Sequence, residues 1–149
     1  QFDKMPENIY VPVSAGTLLL GLFSGLNHLK ESGEITSMPK IIAVQTEAVS
    51  PLCARMNGTR YDPDNTLTSV ADALVSKRPP LLERMFSVLS ENGRCITVND
   101  GEIIDARNDL ARKGFLVEYS SATVFAAFKK KRLNNSLLIL TGSGLKNDF

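Results

Sequence analysis

The sequence predicts a doubly wound α/β domain, a mostly parallel sheet of about four strands with helices on both faces. Three observations lead there. Short β-branched runs alternate with longer amphipathic stretches along the 149 residues, the pattern of strands joined by helical crossovers. The run Lys40–Thr46 (KIIAVQT) is apolar on both faces, as a parallel strand covered from both sides must be. Hydrophobic residues make up 43% of the chain, ordinary for a globular protein, and the length suffices for one sizeable core. Neither internal repeats nor a low-complexity linker divides it.

The elements follow in order. Ile9–Val13 reads as a strand whose apolar run stops at Pro12 to Ser14. Gly16–Ser32 reads as a helix, with Gly33 as the residue that leaves it. After the Lys40–Thr46 strand, Ser50 caps and Pro51 opens a helix to about Asn57. The polar run Gly58–Asn65 is a loop, and a short helix is expected around Val70–Leu74 in the ambiguous stretch Thr66–Val75. Leu81–Glu91 forms a helix with Leu82, Met85, Phe86 and Leu89 on one face, and Asn92-Gly93 stops it. Arg94–Val98 is the third strand. Asn99 or Asp100 caps the next helix, which carries Glu102 in its first turn and Lys113 in its last and ends at Gly114. Phe115–Val117 is a short extended piece, Ser120 or Ser121 caps a helix through about Arg132, and Ser136–Leu140 is the fourth strand.

Composition excludes several function classes. A formal net charge of +1 gives no electrostatic case for nucleic acid or a membrane surface. No apolar run approaches the roughly 20 residues that span a bilayer, and no signal-peptide pattern is present, so a cytoplasmic protein is expected. The opening Gln-Phe-Asp-Lys lacks an initiator Met, which suggests a fragment or a processed chain. Cys53 and Cys95 have neither metal-ligand spacing nor a His cluster beside them. Free thiols in a reducing compartment are the expectation, a disulfide the alternative, and no metal site is expected. His28, the single histidine, falls inside the first helix, so a nucleophile–histidine apparatus has little material. The run Lys129–Arg132 closes a helix, where cations suit the dipole without any partner.

Two places can hold a ligand, because open parallel sheets bind at the carboxyl ends of their strands. Ser14-Ala15-Gly16-Thr17 joins the first strand to its helix. Small residues there let backbone N–H groups approach a phosphate, and the helix N-terminus adds partial positive charge. Thr141-Gly142-Ser143-Gly144 follows the last strand, and a threonine hydroxyl there can meet a ring nitrogen. Each turn also occurs in proteins without a ligand.

Taken in order, VPVSAGTLLLGLFSGLNHL, KIIAVQTEAVSPL, TSVADALVSKRPP, DGEIIDARNDLARKGFLVEYSSATVFAAF and LTGSGLKN resemble the fold-type-II pyridoxal-phosphate enzymes. The Gly-Leu-Lys ending is similar to that of the threonine synthase branch. The resemblance covers nearly the whole chain. It implies pyridoxal 5'-phosphate as cofactor and, in a complete enzyme, conversion of O-phospho-L-homoserine and water to L-threonine and phosphate. It implies that Ser14, Ala15, Gly16, Thr17 and Leu18 cradle the phosphate and that Thr141 faces the pyridine nitrogen. Ala71 and Asp72 would lie near the ring, with Glu118, Ser120 and Ser121 supporting the wall behind it. A neutral hydroxyl at the ring nitrogen does not hold it protonated, which tunes how strongly the ring withdraws electrons.

The sequence departs from the family pattern in three ways. The phosphate turn is poorer in glycine. Gln45 stands where related racemases and dehydratases place an acidic cation ligand, which argues against a divalent metal. Third, the nine lysines, Lys4, Lys30, Lys40, Lys77, Lys113, Lys129, Lys130, Lys131 and Lys146, lie outside the Ser-Phe-Lys-Asp-Arg type of context that joins the cofactor. On this reading residues 1–149 are the C-terminal part of such an enzyme, without the lysine-bearing segment and the small domain. No catalytic residue is assigned, and the chain alone is expected to be inactive. The expected ligands are a phosphorylated amino acid and, through an exposed apolar patch, a second copy of the chain. The alternatives are another fold-type-II enzyme, such as a cysteate synthase or a threonine dehydratase, or a non-catalytic phosphate-binding or interaction module.

Overall fold

A computed structural model describes residues 5–65 and 67–146. The expectations that fall on Thr66, on Lys4 and on the opening residues lie outside the described part. Four strands, β1 (Asn8–Pro12), β2 (Lys40–Thr46), β3 (Arg94–Val98) and β4 (Ser136–Leu138), form one sheet in the order β3-β2-β1-β4, every pairing parallel. Between them run α1 (Thr17–Glu31), α2 (Pro51–Asn57), α3 (Leu82–Ser90), α4 (Asp100–Arg112) and α5 (Tyr119–Lys130). This is the α/β fold the alternation predicts.

Side-chain alternation along the central strands divides the core in two. Ile9, Val11, Ile41 and Ala43 face Leu19, Leu52, Met85 and Leu89 of α1, α2 and α3. Tyr10, Ile42 and Val44 face Ile103, Ala106, Leu110, Val124 and Ala127 of α4 and α5. The chain builds β1, β2 and β3 outward with helices on the first face. It then crosses back over the second face to place β4 on the far side of β1. The strand order therefore reverses between β1 and β4, and a crevice opens outside their carboxyl ends.

The differences from the expected elements have local causes. The first strand begins at Asn8, one residue before the expected Ile9, and accommodates Pro12 within it. Val13 N donates to Val44 O and Ile139 N donates to Tyr10 O, so the amide of residue 12 falls on the β4 side, where the ladder has already ended. The stretch Val70–Leu74 is a single 3-10 turn, Asp72–Leu74. Phe115–Val117 forms no strand, although Val117 makes an isolated bridge to Ser143. The last helix begins two or three residues earlier than expected, with Glu118 at the N-cap, so Ser120 and Ser121 lie inside it and do not cap it. Asn99 rather than Asp100 caps α4, in a capping box with Glu102.

Cys53 and Cys95 are joined as a disulfide, against the expectation of free thiols. Cys95 lies in β3 beside Ala43 of β2, and α2 lays its buried face, Leu52 and Cys53, over that edge. The two Cα atoms end 5.1 Å apart, within disulfide reach, although 42 residues separate them in sequence.

Candidate cofactor-binding site

The crevice at the strand reversal holds a cleft of about 330 Å³. Its floor is the turn from Pro12 through Leu19, which contains all five residues predicted to cradle a phosphate, Ser14, Ala15, Gly16, Thr17 and Leu18. Thr141 closes one side, and Ala73, Leu74, Glu118 and Ser120 complete the lining. The two turns picked out separately in the sequence, some 120 residues apart, thus share one cavity.

The floor takes its shape from Gly16. Its φ of 104° lies in the left-handed region that glycine enters cheaply, and a Cβ built there would lie 2.5 Å from Met85 Sδ. Gly16 O accepts from Leu20 N, which starts α1. No side chain caps this helix, and its first turn carries no acidic residue. The first-turn N–H groups therefore have no intrahelical partner, and they meet the cleft at the positive end of a 15-residue helix. Such an end receives an anionic group through backbone donors. Among the described residues of the lining, Glu118 is the one with a charged side chain.

Thr141 is positioned by the turn that follows β4. Its N–H donates to Ser121 Oγ at 2.9 Å. Glu118 N donates to Gly142 O at 3.1 Å, and Gly144 N donates to Leu116 O at 3.1 Å. Gly142 permits this approach, since a Cβ there would fall 2.1 Å from Glu118 Oε1. Opposite, the 3-10 turn is anchored at both ends. Asp100, released from capping, accepts from Ser69 Oγ and from Val70 N, and Ala73 N donates to Ser120 Oγ at 3.2 Å.

The remaining predicted residues sit elsewhere. Ala71 is fully buried in the core with Tyr10 and Val98, and Asp72 points to solvent. Two residues later, Ala73 and Leu74 line the cleft instead. Sequence reasoning missed them because the turn is 3-10, which changes which residue projects toward the crevice. Gln45 is buried and committed to structure. Its Oε1 accepts from Leu52 N and Cys53 N at 2.9 and 3.1 Å, supplying the cap of α2 that Ser50 does not make. Lys129 pairs with Asp109, and Lys130 with Glu102 and Glu47, so these two cations of the basic run are satisfied within the fold. His28 is exposed in the last turn of α1. Among the described residues no group of three His, Cys, Asp or Glu side chains is placed to hold a metal, and no helix is long and apolar enough to cross a membrane.

Residues 1–142 match the family described as pyridoxal-phosphate dependent enzyme. The chain belongs to that family. Among curated relatives of this pyridoxal-phosphate family are the threonine synthases of Methanocaldococcus jannaschii and Methanosarcina acetivorans. The first is 27% identical, the alignment taking in 97% of this chain and 38% of the relative. The second is 29% identical, over 85% of this chain and 32% of the relative. The chain thus spans 32–38% of the length of these relatives. The fold is similar to the crystal structure of a threonine deaminase from T.th., with a TM-score of 0.75 and 26% identity over 97% of this chain and 52% of that one. It is also similar in fold to a fungal L-serine ammonia-lyase from Rhizomucor miehei, at a TM-score of 0.73 and 22% identity over 95% of this chain and 46% of that one. Enzymes of the family depend on pyridoxal phosphate. The cleft offers uncapped backbone amides, donors of the kind that receive a phosphate, and a threonine, whose hydroxyl is of the kind that can meet a ring nitrogen.

Proposed function

We propose that this chain supplies the phosphate cradle and the ring-nitrogen contact of the cofactor site in a threonine synthase, the enzyme that converts O-phospho-L-homoserine and water to L-threonine and phosphate. The observation that carries the reading is the meeting of the Ser14–Leu18 turn and Thr141 in one cleft at the carboxyl ends of β1 and β4. The likeness to two threonine synthases supports the substrate assignment.

The division of labour follows from the lining. Backbone N–H groups of Gly16, Thr17 and Leu18, with the Thr17 hydroxyl, hold the phosphate without a cation. The Thr141 hydroxyl meets the ring nitrogen without fixing a proton on it. Leu18, Leu74 and the stem of Glu118 give the ring an apolar surround. When bound, the cofactor supplies the electron sink that elimination and replacement at the γ and β carbons require. Among the described residues no lysine lines the cleft, so on this reading the amine that joins the cofactor comes from a segment beyond them. The domain is then the C-terminal part of the enzyme, inactive by itself.

The test is cofactor capture followed by turnover. Equilibrium dialysis of the protein against pyridoxal phosphate should show saturable binding that Gly16→Ala weakens. Addition of the lysine-bearing half of a related threonine synthase should yield phosphate release from O-phospho-L-homoserine. Binding untouched by Gly16→Ala would place the cofactor elsewhere. A second reading, deamination of a hydroxy amino acid, is favoured by the fold likeness to threonine deaminase. Ammonia release from L-threonine, without phosphate release from the phosphorylated substrate, would select it.

Self-association belongs to the same proposal. Phe115, Leu116 and Leu145 are large apolar residues left exposed, at 56%, 43% and 60%, near the turn that follows β4.

A further inference from the structure

The two walls that face the phosphate turn, Ala73 and Thr141, come from distant parts of the sequence, yet adjacent residues of one helix hold them. Ser120 Oγ accepts from Ala73 N at 3.2 Å, and Ser121 Oγ accepts from Thr141 N at 2.9 Å. Both serines are buried, at 2% and 0% exposure, in the first turn of α5. Consecutive helical residues diverge by about 100° (3.6 residues per turn), so neighbouring hydroxyls reach two different segments. Neither hydroxyl caps its own helix. Alanine is the better helix former and fills the equally buried positions 122, 126 and 127 of the same helix. Local helix formation therefore does not account for two buried hydroxyls here, whereas the cross-element bonds do.

We propose that Ser120 and Ser121 are positioning residues that set the separation of the cleft's walls, Ser121 aiming the Thr141 hydroxyl into the cleft by fixing its amide. Helix α5 is a rigid mount for this purpose, since it packs on α4 and on the central strands through Ala122, Val124, Ala126 and Ala127. The functional consequence rests on the cofactor reading above, whereas the positioning itself does not.

The experiment is amide hydrogen exchange by NMR on the wild-type chain, Ser120→Ala and Ser121→Ala, paired with pyridoxal phosphate titration of each. Loss of one such bond should speed exchange of its own amide about two- to tenfold. Ser121→Ala should move Thr141 and leave Ala73 and the strand amides of Ile42 and Val44 unchanged. Ser120→Ala should move Ala73 and leave Thr141 unchanged. Each variant should weaken pyridoxal phosphate binding several-fold. A merely structural role would loosen Ala73, Thr141 and the strand amides together, and that result, or an unmoved Thr141 in Ser121→Ala, overturns the proposal. If the wild-type chain binds no pyridoxal phosphate while the exchange pattern appears as described, the positioning stands and the cofactor reading fails.

Discussion

Replacing Gly16 with alanine strains the floor of the cleft through both its backbone and its packing. The backbone there has φ 104° and ψ −4°, and holding an L-residue in left-handed space costs roughly 1–2 kcal/mol. The new Cβ would lie 2.5 Å from Met85 Sδ, 2.9 Å from its Cγ and 3.1 Å from its Cε. Met85 has no exposed surface and packs among Leu19, Leu52 and Leu89, so it must shift inside a filled core, which costs roughly 1–3 kcal/mol. Together the variant should lose about 2–5 kcal/mol of a total stability of order 5–15 kcal/mol. Urea denaturation followed by circular dichroism reads this directly. At a slope of about 2 kcal/mol per molar the midpoint should fall by about 1–2.5 M with the slope unchanged. Gly21→Ala is the control. Gly21 lies inside α1 with nothing within 4 Å of its added Cβ, and alanine there should gain about 0.5–1 kcal/mol. A Gly16→Ala protein as stable as wild type would refute the geometry of the turn.

Reduction of the Cys53–Cys95 disulfide, which closes a 42-residue separation, should lower stability by about 2–4 kcal/mol; identical urea midpoints with and without reductant would show that the bond does not constrain the unfolded chain. Gln45→Ala removes the acceptor of both Leu52 N and Cys53 N and should cost about 1–3 kcal/mol by the same assay. Burial raises the hydroxyl pKa of Tyr10 above its ordinary 10.0. A raised folded-state value means that the contribution to stability is complete below about pH 10 and disappears as pH climbs through the folded value. Tyr10→Phe should therefore show a shallower loss of stability above pH 10 than wild type, measured by denaturation midpoints across that range. Sedimentation at micromolar concentration should show a dimer or higher oligomer, and Phe115→Ser with Leu145→Ser should shift it toward monomer, whereas a wild-type monomer would count against the exposed apolar patch as a contact.

The sheet is legible in the sequence because each strand stands as a short apolar run between helical stretches, and KIIAVQT announces burial on both faces. Both halves of the candidate site are legible as turns, since Ser14–Thr17 and Thr141–Gly144 each interrupt a strand with small residues. Their convergence depends on β4 lying beside β1, a long-range pairing that local pattern does not encode. The serines of α5 read as caps because serine favours helix starts, but Glu118 takes the N-cap and the hydroxyls turn to other elements. Ala71 is implied by the family resemblance of TSVADALV, whereas Ala73 and Leu74 line the cleft, a detail set by the 3-10 turn that nothing in the stretch distinguishes from a helix. The disulfide is not legible because it depends on α2 lying across the edge of β3, again a tertiary fact.

On the proposed function, the Ser14–Leu18 turn and Thr141 together hold pyridoxal phosphate. Amide chemical shifts recorded while the cofactor is titrated into the wild-type chain test it most directly. The predicted result is saturating shifts concentrated at Gly16, Thr17, Leu18 and Thr141, with inorganic phosphate moving the first three and leaving Thr141 in place. Saturating shifts centred away from the carboxyl ends of β1 and β4, or none at all, would contradict it.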